Sequence, residues 1–169
     1  MIKPKIIAIV GLSGSGKTTA SLYLEKELGI EAIVSYTTRP KRESEVDGRE
    51  HWFVQAGPLD RDSKLAYTKF GGYEYWAEFP ENTSICTYTI DEAGLNGLVQ
   101  RWGDKYDVIP VYIDRPNPDV DAERRKRDLG RTEFSGSYTK VFHNTGTLDS
   151  FLQEILEFGK AMLQEETTT

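Results

Sequence analysis

The chain has 169 residues, with 21 Lys and Arg against 27 Asp and Glu, a net charge of −6 and 38% hydrophobic content. That length fits one compact domain with a substantial core, and mixed charge with 11% aromatic residues excludes a disordered chain. The acidic balance argues against a nucleic-acid module that works by bulk positive charge; small phosphorylated ligands stay open, since they feel local charge.

Residues 5–10 (KIIAIV) are a β-branched run expected of a strand covered on both faces. Residues 11–16 break it, and Ala20, Leu22, Leu24 and Leu28 then recur at helical spacing over 17–28, stopped by Gly29. A second strand is expected over 32–37. Residues 39–50 are polar, with a turn at Asp47-Gly48, and short strands follow at 51–55 and 73–79 across a polar stretch containing glycine. Residues 83–90 read as a strand ending at Asp91, 92–102 as a helix, and 107–113 as a strand in which Pro110 argues for an edge or a bulge. Residues 120–131 are charged and helix-prone, 140–142 form a last short strand, and 148–163 are an amphipathic helix carrying Phe151, Ile155 and Met162. The alternation implies an α/β fold with a parallel sheet and right-handed crossovers. It divides into a core (1–37, 81–116 and 139–163) with inserts at 38–80 and 117–138.

Cys86 is the only cysteine, and His51 and His143 are the only histidines, which leaves no intrachain disulfide, no thiolate-rich zinc site and little basis for a histidine metal cage. His143, at a strand end, is expected to satisfy backbone groups. No run reaches the roughly 18 apolar residues of a membrane span, and the first apolar run reads as a strand, not a signal peptide. The expectation is a soluble, cytoplasmic protein with no membrane or nucleic-acid partner.

Gly11-Leu12-Ser13-Gly14-Ser15-Gly16-Lys17-Thr18 fits G-x-x-x-x-G-K-[ST] between a buried strand and a helix. Glycines let consecutive backbone N–H groups face phosphate oxygens, and the helix N-terminus favours the anion. Lys17 offers a point charge to the β- and γ-phosphates, and Thr18 a hydroxyl to Mg²⁺. Gly11, Ser13, Gly14, Ser15, Gly16, Lys17, Thr18 and Thr19 are the ATP-binding candidates. Asp91-Glu92-Ala93-Gly94 matches the D-x-x-G of a GTPase switch, yet no N-K-x-D occurs, and a motor ATPase needs a longer chain. A small-molecule kinase fits the length best. Its phosphorylated acceptor needs a second anion site, and Ser35-Tyr36-Thr37-Thr38-Arg39-Pro40-Lys41-Arg42 presents two arginines three residues apart, the residue type that pairs bidentately with phosphate.

The stretch SYTTRPKRESEVDGREHWFV resembles the acceptor signature S-x-T-T-R-x-x-R-x-x-E-x-x-G-x-x-Y-x-F of the guanylate kinase family. GGYEYW is similar to that family's G-N-Y-Y-G, TIDEAG to its D-x-D-x-x-G, and VFHNTGTLDSFL to its V-I-V-N-D-D-L-D close. The resemblance implies a three-layer phosphate-loop kinase fold with a five-stranded parallel sheet, an acceptor-binding insert at 38–80 and a lid at 117–138. It implies transfer from ATP, with Mg²⁺, to a nucleoside monophosphate such as GMP or dGMP. By the same likeness Ser35, Arg39, Arg42, His51 and Tyr75 hold the acceptor, Asp91 lies near it and near the metal's waters, and Asn144 lies near the donor adenine. Arg124, Arg125, Arg127 and Arg131 are lid arginines, of which Arg124, Arg127 and Arg131 join Lys17 as catalytic candidates.

The chain departs from the family pattern in several places. His51 replaces the signature tyrosine, Ala77 a serine, and Thr89 the first aspartate of D-x-D. The glutamate that accepts guanine N–H groups has no counterpart at 66–68; Glu74, Glu78 and Asp62 are its possible substitutes. A kinase for another nucleotide or small phosphorylated metabolite, or a guanylate-kinase-like module without catalysis, remain the alternatives.

Overall fold

The computed structural model describes residues 2–116 and 132–165. They form two compact units, one of Met1–Ala32 with Thr83–Thr169, the other of Ile33–Asn82.

The larger unit is built on a five-stranded parallel sheet. Its strands are β1 (Lys5–Gly11), β2 (Glu31–Ala32), β7 (Ile85–Thr89), β8 (Asp107–Asp114) and β9 (Lys140–His143), in the order β2-β7-β1-β8-β9. β1 is buried along its whole length, as its unbroken β-branched sequence demands. One sheet face packs Ile7, Ile9, Val111, Ile113 and Phe142 against α1 (Lys17–Leu28) and the closing helix α3 (Leu148–Gln164), which contribute Leu24, Phe151, Ile155 and Met162. The other face gathers Ala8 and Val10 with Leu95 of α2 (Glu92–Trp102), flanked by Tyr112, Phe134 and Tyr138. Helices on both faces give the expected three layers. All five strands run the same way, so the chain following β1, β7, β8 and β9 emerges at one edge, where open α/β sheets take their ligands.

Three expectations need correction. Pro110 lies at neither an edge nor a bulge: β8 pairs with β1 on one side and β9 on the other, and Pro110 sits opposite Ala8. Its carbonyl accepts from the Thr139 N–H at 2.7 Å, so its missing N–H would have faced the stretch ahead of β9, where the ladder has not begun. The strand expected at 32–37 is two: β2 closes the parallel sheet and β3 (Tyr36–Thr37) belongs to the other unit. An apolar run does not reveal which sheet each end joins. The polar stretch before Tyr73 holds a further strand, β5 (Leu65–Phe70).

The smaller unit is a four-stranded sheet in the order β4-β3-β6-β5, with β4 (Trp52–Phe53) parallel to β3 and β6 (Tyr73–Ala77) antiparallel to it. β5 and β6 form a hairpin whose turn residues Gly71 and Gly72 have φ 60° and 83°, the doubly positive pair that a tight hairpin turn requires. A bulge with Ala66 at φ 49° puts Leu65 and Thr68 on one face despite their odd spacing. Register and alternation set Thr37, Phe53 and Tyr75 on one face of this sheet, and Tyr36, Trp52, Glu74 and Trp76 on the other. Tyr36 and Trp76 stack there with centroids 5.6 Å apart. Among the described residues no helix is long and apolar enough to cross a membrane.

Candidate functional site

In the larger unit the glycine-rich loop joins the end of β1 to the start of α1. Gly16 has φ 112°, and a Cβ there would lie 3.0 Å from the Asn144 amide and 3.3 Å from the Phe151 ring. Only glycine opens α1 without strain at that point. The loop is tied by its own main chain, Ser15 N–H to Leu12 carbonyl at 3.1 Å and Ala20 N–H to Gly16 carbonyl at 2.9 Å. The Lys17 ammonium folds over it, donating to the Gly11 and Leu12 carbonyls at 2.6 and 2.9 Å. Ser15 is 1% exposed, and its hydroxyl has no hydrogen-bond partner among the described residues. That hydroxyl lies against Gly11, 2.5 Å from where a Cβ on residue 11 would stand, so the loop closes over a residue that must be glycine. Thr18 and Thr19 are exposed in the first turn of α1, while Ser13 and Gly14 form the loop's crest. A threonine hydroxyl is a hard oxygen of the kind that suits Mg²⁺, an ion that keeps several waters and takes few ligands from protein. No group of three or more metal-ligating side chains occurs among the described residues.

Asn144 follows β9 and is 8% exposed. Its backbone N–H donates to the Asp114 carbonyl at 2.8 Å and its amide to the Ser15 carbonyl at 2.9 Å, so it braces the loop directly. Asp91 stands past the end of β7 as the N-cap of α2, its Oδ1 accepting from the Gly94 N–H at 2.7 Å. The Ile90 N–H bonds the Ile9 carbonyl at 3.1 Å, which fixes Asp91 at the same sheet edge as the loop. Among the described residues His143 meets a side chain and not a backbone group: its Nδ1 lies 3.2 Å from Asp114 Oδ2, an exposed pair at the ends of β9 and β8.

In the smaller unit Ser35, Arg39, His51 and Tyr75 come together around Phe53. Arg39 stands 5.6 Å over the Phe53 ring, His51 meets Phe53 and Tyr75 edge-on at 5.8 and 5.9 Å, and Ser35 Oγ lies 2.8 Å from His51 Nδ1. Arg39 is gripped at both nitrogens by Glu45, at 2.9 and 2.8 Å, and Glu45 Oε1 also accepts the Arg42 N–H at 2.8 Å. Those bonds hold the Glu45 carboxyl down at about 2 and raise Arg39 above its ordinary value. Burial, and next the Arg39 charge, lowers His51 below its ordinary value. The loop leading to His51 is closed by local carboxylates, Asp47 Oδ1 accepting the Phe53 N–H and Glu50 Oε2 the Val46 N–H. The Arg42 side chain is exposed. Glu45, which clamps Arg39, and Phe53, its platform, are the residues that sequence reasoning did not single out. The signal for Glu45 was a glutamate six residues beyond Arg39, inside the signature itself.

The substitutes for a base-reading carboxylate lie elsewhere. Glu74 accepts from the Tyr67 hydroxyl and pairs with Arg61 at 3.2 Å, and Glu78 pairs with Lys64 at 2.5 Å. The alternation puts Glu74 on the sheet face opposite Tyr75. Arg124, Arg125, Arg127 and Arg131 lie outside the described residues.

The guanylate kinase family model matches residues 3–160. A guanylate kinase of Nitrobacter winogradskyi is 35% identical over 124 residues, 67% of this chain and 55% of that protein. The guanylate kinase of Sus scrofa is 26% identical over 152 residues, 83% of this chain and 74% of that one. The chain spans about half the length of the first curated relatives it matches. The crystal structure of guanylate kinase from Anaplasma phagocytophilum superimposes with a TM-score of 0.55 at 18% identity, covering 99% of this chain and 88% of that one, which shows the shared fold. A match across nearly the whole sequence settles the family: this chain is a member of the guanylate kinases.

Proposed function

We propose that the chain moves the γ-phosphoryl group of ATP to a nucleoside monophosphate, GMP or dGMP, giving ADP and the diphosphate. The observation that carries this reading is the pairing of two anion sites in one chain. One is a glycine loop with Lys17 at a helix N-terminus, and the other an oriented arginine beside a histidine and a tyrosine.

On this reading the loop N–H groups and Lys17 take the β- and γ-phosphates, with Asn144 keeping the loop in shape. Thr18 would hold Mg²⁺, which when bound neutralises charge between the phosphates. The insert at 38–80 binds the acceptor, its phosphate met by Arg39, Arg42, His51 and Tyr75. The lid at 117–138 brings Arg124, Arg127 or Arg131 to the moving group. No general base is needed, because the attacking phosphate oxygen is already an anion; alignment and charge neutralisation do the work.

A second reading, with another nucleoside monophosphate as acceptor, is favoured by one observation. Of the three carboxylates that could replace the family's guanine-reading glutamate, Glu74 already pairs with Arg61 and Glu78 with Lys64, contacts that a guanine N–H would have to share. A coupled assay with ATP, Mg²⁺ and a panel of monophosphates tests both. Turnover is expected highest with GMP or dGMP; a preference for another base establishes the second reading, and ATP binding without turnover on any acceptor overturns both.

A further inference from the structure

The charges around Arg39 do not balance an incoming phosphate. Arg39 is fully paired with Glu45, in a bidentate clamp at 2.8 and 2.9 Å. Arg42 adds one positive charge beside Glu45, and Glu50 is neutralised by Arg49 at 2.6 Å. A phosphomonoester carries two negative charges at neutral pH, so Arg42 leaves one of them uncompensated. Lys41, whose ammonium donates to the Glu45 carbonyl at 3.2 Å, and Asp47, whose Oδ1 accepts the Phe53 N–H at 2.9 Å, add one charge of each sign and cancel, which leaves the imidazole of His51, edge-on to Phe53 and Tyr75, as the group that can supply the balance.

Resting on the acceptor-site reading above, we infer that His51 is a proton-linked ligand of the acceptor's phosphate. When a phosphomonoester dianion arrives, the imidazole takes one proton from solvent and meets the dianion as imidazolium. With that proton the ledger closes: Arg39, Arg42 and His51 against Glu45 and a double negative charge.

The contact with Ser35 makes the change possible without rearrangement. A serine hydroxyl donates to a bare ring nitrogen or accepts from a protonated one. At 2.8 Å, Ser35 Oγ serves His51 Nδ1 in either state. In the imidazolium, Nδ1–H is satisfied by Ser35 and Nε2–H is left for a phosphate oxygen. Before the acceptor binds, burial and the Arg39 charge keep the ring neutral at pH 7, while Glu45 and Glu50 oppose them more weakly. The sign follows: His51 gains its proton only in the complex, so acceptor affinity falls as pH rises from 7 to 8. The proton is drawn by the second negative charge, which also makes His51 a selector for monoester dianions over singly charged phosphodiesters.

Calorimetric titration with GMP at pH 7.2, in PIPES, HEPES and Tris, counts the protons exchanged from the slope of heat against buffer ionisation enthalpy. The wild-type chain is expected to take up at least about half a proton per GMP, and its KM for GMP to rise by up to about tenfold between pH 7 and 8. His51→Tyr retains a ring and a donor but titrates near pH 10; it should bind GMP with no proton uptake and a flat KM over that range. His51→Gln should behave likewise. GMP binding by the wild type with no uptake, or uptake unchanged in both variants, overturns the inference and leaves the acceptor reading standing. No GMP binding at all overturns both.

Discussion

The two anion sites of this chain are made from different materials. The phosphate loop is a main-chain object: its shape comes from Gly16 at positive φ, from N–H to carbonyl bonds within the loop, and from one amide, Asn144, bound to a backbone carbonyl. The cluster in the smaller unit is a side-chain object, in which Glu45 aims Arg39 and Ser35 pairs with His51. A backbone cradle has a shape that does not depend on protonation, and Lys17 is the one charged side chain folded over it. A side-chain cluster depends on protonation and on each partner being present. The donor end should therefore fail only when its charge or its backbone is attacked, and the acceptor end should be tunable.

The largest effect tests the donor side. Lys17→Ala removes the one side-chain charge from a site otherwise built of backbone. The expected outcome is a loss of kcat of about 10²- to 10³-fold, the scale for deleting an electrostatic donor to a developing charge. The melting temperature should stay within about 2 °C, because the ammonium folds over a loop that the main chain already ties. Full turnover by this variant would remove the loop from the reaction.

Next comes the acceptor side. Glu45→Gln leaves Arg39 without its second carboxylate contact and adds a positive charge to the cluster. Orientation and charge then act in opposite directions on acceptor binding. Because a guanidinium discriminates through its fork, the loss of aim should win: KM for the monophosphate is expected to rise about tenfold, with KM for ATP unchanged. A lower acceptor KM would mean that charge alone governs this site. The pH behaviour has a fixed sign. The Glu45 carboxyl sits at about 2 in the folded chain, below its ordinary value, so the clamp's contribution is complete above about pH 4.5 and is lost as pH falls towards 2. Circular dichroism during acid titration should show the Gln variant losing less on the way down.

The same contrast explains what could be read from the residues alone. The loop was legible because its chemistry needs glycines at fixed offsets between a strand and a helix, and each of those is a local signal. β1, α2, β8 and α3 were legible for the same reason, since burial on one or two faces writes a period into the sequence; α1 was marked instead by the loop before it and Gly29 after it, for Leu22 of its expected apolar set is exposed and Ser21 is buried in its place. The arginines were visible as residue types in a signature, but not the Glu45 clamp or the Phe53 platform, which arise from a loop closing on itself. β5 escaped because its outer half is exposed and the Ala66 bulge breaks its alternation, although Gly71-Gly72 marked the turn. Pro110 misled because the rule about proline concerns the side its N–H faces, and sequence does not say where a neighbouring strand begins. Which side of the small sheet Glu74 occupies is likewise set by register.

Asn144→Ala gives the smallest expected effect and the sharpest division between the sites. The Asn144 amide is buried and donates to the Ser15 carbonyl at 2.9 Å. Its removal strands a carbonyl that main-chain neighbours do not reach, at a cost of about 1–3 kcal/mol. In a domain of this size that lowers the melting temperature by about 2–4 °C for each kcal/mol lost. The loop keeps its glycines and its internal bonds, so ATP binding should weaken only a few-fold, by about fivefold in KM if half of a loss of about 2 kcal/mol is felt as loop disorder. KM for the monophosphate should not move, because Arg39 takes its supports, Glu45 and Phe53, from the smaller unit's own residues. Asn144→Asp separates support from donation: it keeps the size of the side chain but turns an acceptor towards the Ser15 carbonyl, so it should lose at least as much stability as the alanine. Equal shifts in both KM values after either change would show that the two sites share their supports, and the separation of backbone cradle from side-chain cluster would fall.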